Sequence, residues 1–488
     1  MVNLQKCTAF NWNYNFTEVA LLSLVELQRQ AQKVIDISES YRLIIREPYT
    51  HDDGGALFVW EHEEELGRIA INVDADGKLT RISVDRESSK TDAPALDHRQ
   101  LQNIAENFFL FHYPDALDIF GFHRSETTKK GIRFYFAQFS AGLPLDRTGC
   151  FVDVSFAGEV LVFMYFGAKP VPPWPAAIIS KEKLLADARN RVELSLKLIY
   201  LSSDIYDVAE SGPRLVYEIS PPYLWYKADE VNPELLFEVE EEIPVILEAH
   251  SAGHIAAANP TRSLEQSIGI DENMQLIRES ESELETVKVW RSRDFKNEVS
   301  DLAFTGFIHN QSKNTVKASV SRKDGTLTGL IWFLKREGDQ KLSRMDCYQI
   351  SVDFLRSVMP YDVKRMYCII EDNDNEHPSL ETFNFKICHR QLVLANDTVT
   401  VTVNRTIGKI EYYSGPSFEL ALLDEIYAIP AVRKEEAFKI YWSLLDFKLA
   451  WTEWDDSEEL LIYESFNRMN GNAIHFIDAQ NGTAIGER

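Results

Sequence analysis

The chain contains two copies of one β-hairpin pattern, and this duplication constrains its fold more than any other feature. The stretch FNFKICHRQLVLANDTVTVTVNRTIGKIEYY, residues 383–413, matches RFYFAQFSAGLPLDRTGCFVDVSFAGEVLVF, residues 133–163. The apolar positions correspond at a constant spacing until one residue is inserted in the last turn, where Gly158 meets Gly408. The alternation of Val with Thr in TVTVTV is typical of a half-buried strand. An internal repeat of this kind predicts tandem domains.

Further segments match in the same order outside the hairpin. The matching pairs are residues 35–44 with 268–277, 74–79 with 322–327, 106–116 with 352–362, 180–188 with 433–441, and 214–219 with 460–465. A chain of 488 residues also exceeds what one hydrophobic core usually serves. We therefore predict an N-terminal helical segment over 1–27, a first repeat over 28–250, a linker over 251–261 and a second repeat over 262–488.

Each half follows the order helix, several strands, helix, several strands. Asp97 precedes a run with one apolar helical face and is a suitable N-cap, and Pro114 ends that run. Asp–Gly pairs at 76–77 and 324–325 lie between alternating runs and predict hairpin turns. The predicted fold class is α+β, a tandem duplication of helix-backed antiparallel β-sheet modules, rather than an alternating βαβ fold.

Composition limits the class of partner and the compartment. The net charge of −25 disfavours nucleic acid and anionic membrane surfaces, which both require a basic protein face. The N-terminus lacks a signal-peptide pattern, and the apolar segment 19–27 is too short to span a bilayer. The cysteines are widely spaced without a CxxC pair, which favours a reducing compartment. They are Cys7, Cys150, Cys347, Cys368 and Cys388. We expect a cytoplasmic protein.

No catalytic, cofactor-binding or metal-binding residue is predicted, because the sequence lacks the usual nucleophile, phosphate-loop and zinc motifs. His250 and His254 have helical metal-ligand spacing, but they lie in a segment that reads as linker. The acidic loop 371–377 lacks the glycine and glutamate of a calcium loop. Cys388 and His389 are neighbours on a predicted strand and therefore point to opposite faces. No cofactor is expected.

Acidic and aromatic runs also have plain structural explanations. Acidic runs at 238–248 and 453–459 are typical of exposed surface in a protein with this charge. Aromatic residues in 170–178, 223–227 and 450–454 could form a peptide- or glycan-binding surface. Core or inter-domain packing is the commoner role of such side chains, and we favour it.

The hairpin strands, the strand-turn TVTVNRTIGKIEYY and the following helix RKEEAFKIYWSLL resemble the YcdB/YcdC repeated-domain family, which is similar to PepSY domains. The C-terminus resembles the closing pattern of that family through Tyr463, Asp478, Ala479, Asn481 and Gly482. No counterpart of this Ile-Asp-Ala-Gln-Asn-Gly pattern is visible in the first half after Pro222. The resemblance implies a module that binds and restrains peptidases without catalysis.

The leading prediction is therefore a non-enzymatic module whose partner is a protein or peptide, held at sheet edges or in a cleft between the halves. One alternative is a hydrolase whose site is assembled from sequence-distant residues. His62 with Glu61 and Glu63, or His475 with Asp478, are constellations of that kind. A second alternative is a structural or assembly protein.

Overall fold

The computed structural model describes residues 22–49, 54–64, 67–86, 96–230, 264–295, 313–368, 379–454 and 458–487. The described residues up to Val171 form one compact unit, and those from Pro172 onward form a second. We call them unit 1 and unit 2. This division falls inside the predicted first repeat. The predicted segment boundaries stay a prediction, and the linker 251–261 lies outside the described residues.

The described residues of unit 1 form three helices and one sheet. The helices are α1 (Leu24–Val34), α2 (His98–His112) and α3 (Ala116–Ile119). The strands are β1 (Tyr41–Pro48), β2 (Ala56–His62), β3 (Gly67–Val73), β4 (Leu79–Arg86), β5 (Phe120–Thr127), β6 (Gly131–Ser140), β7 (Leu143–Pro144), β8 (Gly149–Ser155) and β9 (Val160–Gly167). Their order is β1-β2-β3-β4-β9-β8-β6-β5, with β7 added to β6.

Helix α2 shows why these residues fold as they do. Asp97 and Gln100 form a reciprocal capping box, which satisfies backbone N–H groups at the helix start and confirms Asp97 as the N-cap. The helix ends at His112, with Tyr113 as its C-cap. Leu101 and Phe109 belong to the buried cluster that α2 shares with the sheet. The apolar face of the helix thus fills the core of unit 1.

Unit 2 contains four helices and fifteen strands among its described residues. The helices are α4 (Lys181–Arg191), α5 (Leu264–Ile268), α6 (Arg344–Val358) and α7 (Lys434–Leu444), with 3₁₀ turns at Val363–Arg365 and Leu420–Glu425. The strands are β10 (Glu193–Leu201), β11 (Gly212–Ser220), β12 (Trp225–Lys227), β13 (Met274–Glu281), β14 (Glu285–Ser292), β15 (Thr315–Ser321), β16 (Leu327–Trp332), β17 (Met366–Cys368), β18 (Leu380–His389), β19 (Leu392–Asn404), β20 (Lys409–Ser414), β21 (Leu445–Trp454), β22 (Glu458–Asn467), β23 (Phe476–Asp478) and β24 (Ala484–Ile485).

These strands form two sheets. The larger has 12 strands along the path β13-β14-β15-β16-β20-β19-β10-β11-β23-β24, with β18 beside β19 and β17 beside β18. The smaller sheet has the order β12-β22-β21. Its neighbours pair in antiparallel fashion, whereas β10 meets β19 in parallel at Leu198 and Leu394. The side-chain amide of Asn396 supports this junction, because it bonds both the N–H and the carbonyl of Tyr200.

The predicted combination of helices with antiparallel strands in a repeated arrangement is confirmed, with that one parallel junction as a difference. The equivalent turns after β8 and β19 contain Gly158 and Gly408, with φ of 90° and 64°. Such angles favour glycine because it lacks a Cβ atom. The duplicated hairpin therefore keeps its turn geometry in both units.

Candidate interaction surface

Unit 2 contains two β-hairpins that are each completed by a short strand from the other copy of the repeat. In the first copy β10 and β11 follow α4, and in the second copy β21 and β22 follow α7. Strand β12 of the first copy pairs with β22, with Tyr226 opposite Tyr463. Strand β23 of the second copy pairs with β11, with Ile477 opposite Tyr217. We call β12 and β23 the closing strands.

Two equivalent tyrosines fix this exchange. The hydroxyl of Tyr217 donates to the carbonyl oxygen of Val432 at 2.8 Å, and that of Tyr463 donates to the carbonyl oxygen of Ile179 at 2.9 Å. Each acceptor lies just before the helix that leads into a hairpin. Each tyrosine therefore links its own hairpin to the helix of the other copy.

The backbone bonds of the closing strands repeat in the same way. Ala228 donates to the carbonyl of Leu461 at 2.9 Å and accepts from the N–H of Ile179 at 2.8 Å. Its counterpart Ala479 makes two bonds of the same kind, both at 2.9 Å. The first copy thus contains a structural counterpart of the Ile-Asp-Ala strand, although no matching sequence pattern is visible after Pro222. Because the two segments share only the alanine that follows each closing strand, the sequence offered little signal.

Among the strands that the structure describes, β13 is the outermost at one end of the larger sheet. Seven of its eight residues are exposed. Leu276 and Ile277 are neighbours at its start, and 47% and 42% of their surfaces are exposed. A bulge at Ile277 separates this apolar start from the charged end that contains Arg278 and Glu279. The start of β13 therefore presents apolar side chains beside an outer backbone edge, which is the usual acceptor for an added strand.

The equivalent strand of unit 1 provides a contrast. Strand β1 has a bulge at the matching place, between Leu43 and Ile45. Its Ile44 and Ile45 are buried in a small cluster with Val59. The matching residue Ile277 is exposed instead. The two copies have therefore diverged at this edge, and only β13 leaves the apolar bulge residue open.

Strand β5 is the other outermost strand of unit 1, and its surface differs in kind. It has a bulge between Phe122 and Arg124. The Arg124 guanidinium bonds Glu126 at 2.8 Å and lies 3.9 Å from the ring centroid of Tyr135. Bulges and charged side chains at a sheet edge oppose strand addition. Strand β13 also has a bulge and a charged end, so these features do not separate the two edges. We consider β13 the better candidate surface because two neighbouring aliphatic side chains, Leu276 and Ile277, are exposed at its start.

The His475 and Asp478 constellation serves local structure. The Asp478 carboxylate accepts the backbone N–H groups of Gln480 at 2.8 Å and Asn481 at 3.1 Å. The Nε2 atom of His475 lies 3.7 Å from the Glu487 carboxylate. Burial lowers the pKa of His475, and Glu487 opposes that change. Asp478 therefore holds a turn, while His475 packs beside a different carboxylate.

The side chains of the second constellation, His62 with Glu61 and Glu63, also make separate contacts. Glu61 is buried and accepts bonds from Arg68 at 2.8 and 2.5 Å. The ring of His62 packs edge-on against Tyr41, with centroids 5.1 Å apart. Glu63 lies in the turn after the strand. Consecutive strand residues point to opposite faces, so Glu61 and His62 act on different sides of the sheet.

Three of the described thiols are poor nucleophiles. Burial raises the pKa of Cys150, Cys347 and Cys368, and that of Cys368 reaches about 11. Since the thiolate is the reactive form, these groups are largely neutral near pH 7. Beside Cys388 on its strand, His389 is buried, and its Nε2 atom lies 3.3 Å from a backbone carbonyl oxygen.

The aromatic runs give a mixed result. Tyr226 is fully buried, its ring meets that of Phe447 edge-on at 5.5 Å, and its hydroxyl donates to Asp187 at 3.1 Å. Trp451 is buried and meets Trp174 at 6.1 Å. Trp174, by contrast, is 44% exposed. Packing explains Tyr226 and Trp451, whereas Trp174 keeps a large apolar surface open.

Several sequence candidates lie outside the described residues: Cys7, His250, His254, the acidic run 238–248, the loop 371–377, and residues 455–457 of the second acidic run. In the part of the chain that the structure describes, no three His, Cys, Asp or Glu side chains are grouped to hold a metal ion. None of the helices described above combines the length and apolarity needed to cross a membrane.

Comparison with known proteins identifies the repeat. The YcdB, YcdC repeated domain matches this chain twice, over residues 24–167 and 260–417. Uncharacterized protein YcdB of Bacillus subtilis is 27% identical over 477 residues, which cover 94% of this chain and 97% of the relative. Uncharacterized protein YcdC of the same organism is 25% identical over 456 residues, with coverage of 90% and 95%. The Bacillus megaterium YpeB C-terminal domain is a solved structure that aligns at 14% identity and a TM-score of 0.28, covering 44% of this chain and 96% of that one.

Proposed function

The chain belongs to the family that contains the YcdB, YcdC repeated domain, and from this premise we propose that it is a non-enzymatic module that binds an extended segment of another polypeptide. The segment adds as a strand to the outer edge of β13 in unit 2. Its affinity comes from main-chain hydrogen bonds, and its specificity comes from side chains that alternate along the strand.

The observation that carries the proposal is the open apolar start of β13, where Leu276 and Ile277 are both largely exposed. The two closing strands supply an internal precedent, because each is only three residues long and yet adds to the hairpin of the other copy. A segment that pairs with Met274–Ile277 would have a comparable length. The four residues up to and including the bulge residue Ile277 are therefore long enough for strand addition.

The chemistry of the described side chains supports binding rather than catalysis. The acidic members of the two candidate constellations are engaged: Glu61 by Arg68, and Asp478 by backbone N–H groups. The buried cysteine thiols have raised pKa values. A nucleophile needs an activating base or a lowered pKa. The two carboxylates form local structural contacts instead, and the buried thiols lack the lowered pKa that a nucleophile needs.

The charges on β13 indicate what the partner segment looks like. Glu279 pairs with Lys288 at 3.4 Å, and Glu281 pairs with Arg322 at 3.3 Å. The end of the strand is therefore charged and internally paired, while the start is apolar. A matching segment places apolar side chains beside Leu276 and Ile277. The resemblance to PepSY domains makes a peptidase our first choice of partner.

The experiment is affinity purification of the tagged full chain after mild crosslinking, followed by binding and hydrogen-exchange measurements with the purified partner. Strand addition protects the amides of residues 274–281 when the partner is present. The double variant Leu276→Lys, Ile277→Lys weakens binding by about tenfold or more, because burying each such side chain contributes roughly 1.5–3 kcal/mol.

The control is Leu284→Lys, which adds one lysine to the turn between β13 and β14. Leu284 is highly exposed and lies outside the strand. This variant binds like the unmodified chain. Partner protection that appears elsewhere while β13 exchanges freely would contradict the proposal. Hydrolysis of the partner by the chain would favour the enzyme alternative.

A further inference from the structure

The two copies of the repeat share a corner that follows their second helix. In the first copy, α2 leads through the short helix α3 into β5, where Phe120 pairs with Gln138. In the second copy, α6 leads through the 3₁₀ turn Val363–Arg365 into β17, where Met366 pairs with Ile387. These pairs occupy matching positions of the internal repeat. The two corners can therefore be compared residue by residue.

The corner of the second copy is covered by a segment that follows β20. This segment is the 3₁₀ turn Leu420–Glu425, which we call the covering turn. Its Leu420 and Leu423 are buried in the same hydrophobic cluster as Val363. Residues three apart in a 3₁₀ turn lie on one face, so both leucines point to the same side. One apolar turn thus closes this corner.

The matching corner of the first copy has no counterpart of the covering turn among the residues described for unit 1. No helix lies between the end of β9 and Val171, where those residues end. Leu117, which matches the buried Val363, is 42% exposed. Ile119 and Phe122, which follow it in the chain, are 50% and 42% exposed. We call Leu117, Ile119 and Phe122 the apolar corner.

The apolar corner continues the hydrophobic core of unit 1 to the surface. The ring of Phe122 meets that of Phe136 edge-on at 6.2 Å, and Phe136 belongs to the buried core. Ala116 and Phe120, which lie between and beside the exposed residues in the chain, are buried in that same core. Contiguous exposed apolar side chains mark interaction sites more often than isolated ones do.

The two corners differ in charge, and this difference indicates what fits the open one. In the second copy, the Arg365 guanidinium bonds the Asp424 carboxylate of the covering turn at 2.9 and 2.7 Å. Ile119 takes the place of Arg365 in the first copy. A carboxylate at the matching point would therefore face an aliphatic side chain instead of a cation. An apolar residue fits that position better than Asp does.

We propose that the apolar corner is a docking site for a short helical turn of a partner protein, in which two leucines or similar aliphatic residues lie three positions apart. This turn takes the place that the covering turn has in the second copy, and it carries a third apolar residue against Ile119. Docking uses side chains rather than the backbone edge of a strand. It is therefore independent of strand addition at β13.

The probe is a labelled synthetic peptide of residues 417–428, with Ala421→Lys joined to Glu425 by a lactam bridge that preorganises the turn. A second peptide also carries Asp424→Leu. Binding to the full chain is measured by fluorescence anisotropy. We expect the Leu peptide to bind about threefold more tightly than the Asp peptide. The variant Ile119→Arg should reverse this preference, because it restores the cation that Asp424 pairs with in the second copy.

A charge in the apolar corner tests the location of the site. Leu117→Asp should weaken binding of the Leu peptide by about tenfold or more. Val25→Asp is the matched control, because Val25 is 50% exposed on α1 of the same unit and should leave binding unchanged. Unfolding curves check that both variants remain folded. The proposal is overturned if neither peptide binds below about 1 mM, if both variants bind equally, or if Ile119→Arg leaves the preference unchanged.

The partner is sought with a photoreactive residue in place of Leu117 in the full chain, in its native cells, with position 25 as control. The captured segment is sequenced. We expect a helical segment with aliphatic residues three positions apart, whose capture is competed by the Leu peptide. Capture equal to that at position 25, or capture of a segment without this spacing, contradicts the proposal.

Discussion

The exchange of closing strands makes a quantitative prediction at Tyr226. This residue is the centre of β12, it is fully buried, and it packs against Phe447. Tyr226→Ala removes the ring from a packed site between the two copies. The substitution therefore tests whether the closing strand stabilises the hairpin to which it is added.

The magnitude follows from two separable contributions. Truncating a buried aromatic side chain to alanine typically costs about 3–5 kcal/mol, from lost burial and the cavity left behind. The hydroxyl donates to Asp187 at 3.1 Å, and a bond to a charged acceptor is worth about 1.5–3 kcal/mol. Asp187 also pairs with Arg191 at 2.6 Å, so it keeps a partner when the hydroxyl is lost. We expect Tyr226→Phe to cost about 1–2 kcal/mol and Tyr226→Ala, which loses both contributions, about 4–7 kcal/mol.

The assay combines denaturant unfolding with native-state hydrogen exchange. Because β12 pairs with β22, Tyr226→Ala should raise exchange in β22 and β21 more than in the sheet of unit 1. Tyr361→Ala is the matched control, since Tyr361 is highly exposed and its loss should change stability by less than about 0.5 kcal/mol. A loss below about 1 kcal/mol for Tyr226→Ala, or unchanged protection of β22, would refute the reasoning.

Two further predictions concern pH and backbone geometry. Burial lowers the pKa of His475 despite the opposing Glu487. As the pH falls, the unfolded chain therefore binds a proton at this histidine before the folded chain does. The contribution of neutral His475 to the free energy of unfolding is therefore full above about pH 6.5 and falls as the pH drops below that value. The variant His475→Gln should flatten the pH dependence of unfolding between about pH 7.5 and 5.5. An unchanged slope would contradict this cause. Gly149→Ala should destabilise unit 1 more than Gly167→Ala in denaturant unfolding. Both glycines have positive φ, a conformation that costs a residue with a Cβ atom about 1–2 kcal/mol. Only at Gly149 would the added Cβ atom also clash with the carbonyl oxygen of Phe136. Equal losses would rule out the proposed contact.

Local signals in the sequence predicted local structure well. Asp97 begins α2 as its cap, and the glycines of the equivalent turns adopt positive φ. These features depend on a few neighbouring residues and on backbone sterics. The internal repeat likewise predicted the duplication, because matching patterns need no knowledge of three-dimensional contacts.

The exchange of closing strands and the exposed edge of β13 could not be predicted from local sequence patterns. A closing strand of three residues is too short to show a period, and its partner lies far away in the chain. The sequence of β13 does not reveal that it is outermost, because the order of strands depends on tertiary packing. The exposure of Ile277, when its counterpart Ile44 is buried, also depends on what covers each edge.

The closing strand β23 has a consequence for the order in which the chain is made. Val216 of β11 pairs with Asp478, which leaves the ribosome roughly 260 residues later, after about 13–50 seconds at typical synthesis rates. During that interval, the edge of β11 has emerged while its native partner has not yet been synthesised. Unpaired strand edges are prone to aggregate in such intermediates. Slower translation of the second repeat would therefore lower the yield of folded protein, although it changes no residue of the finished chain.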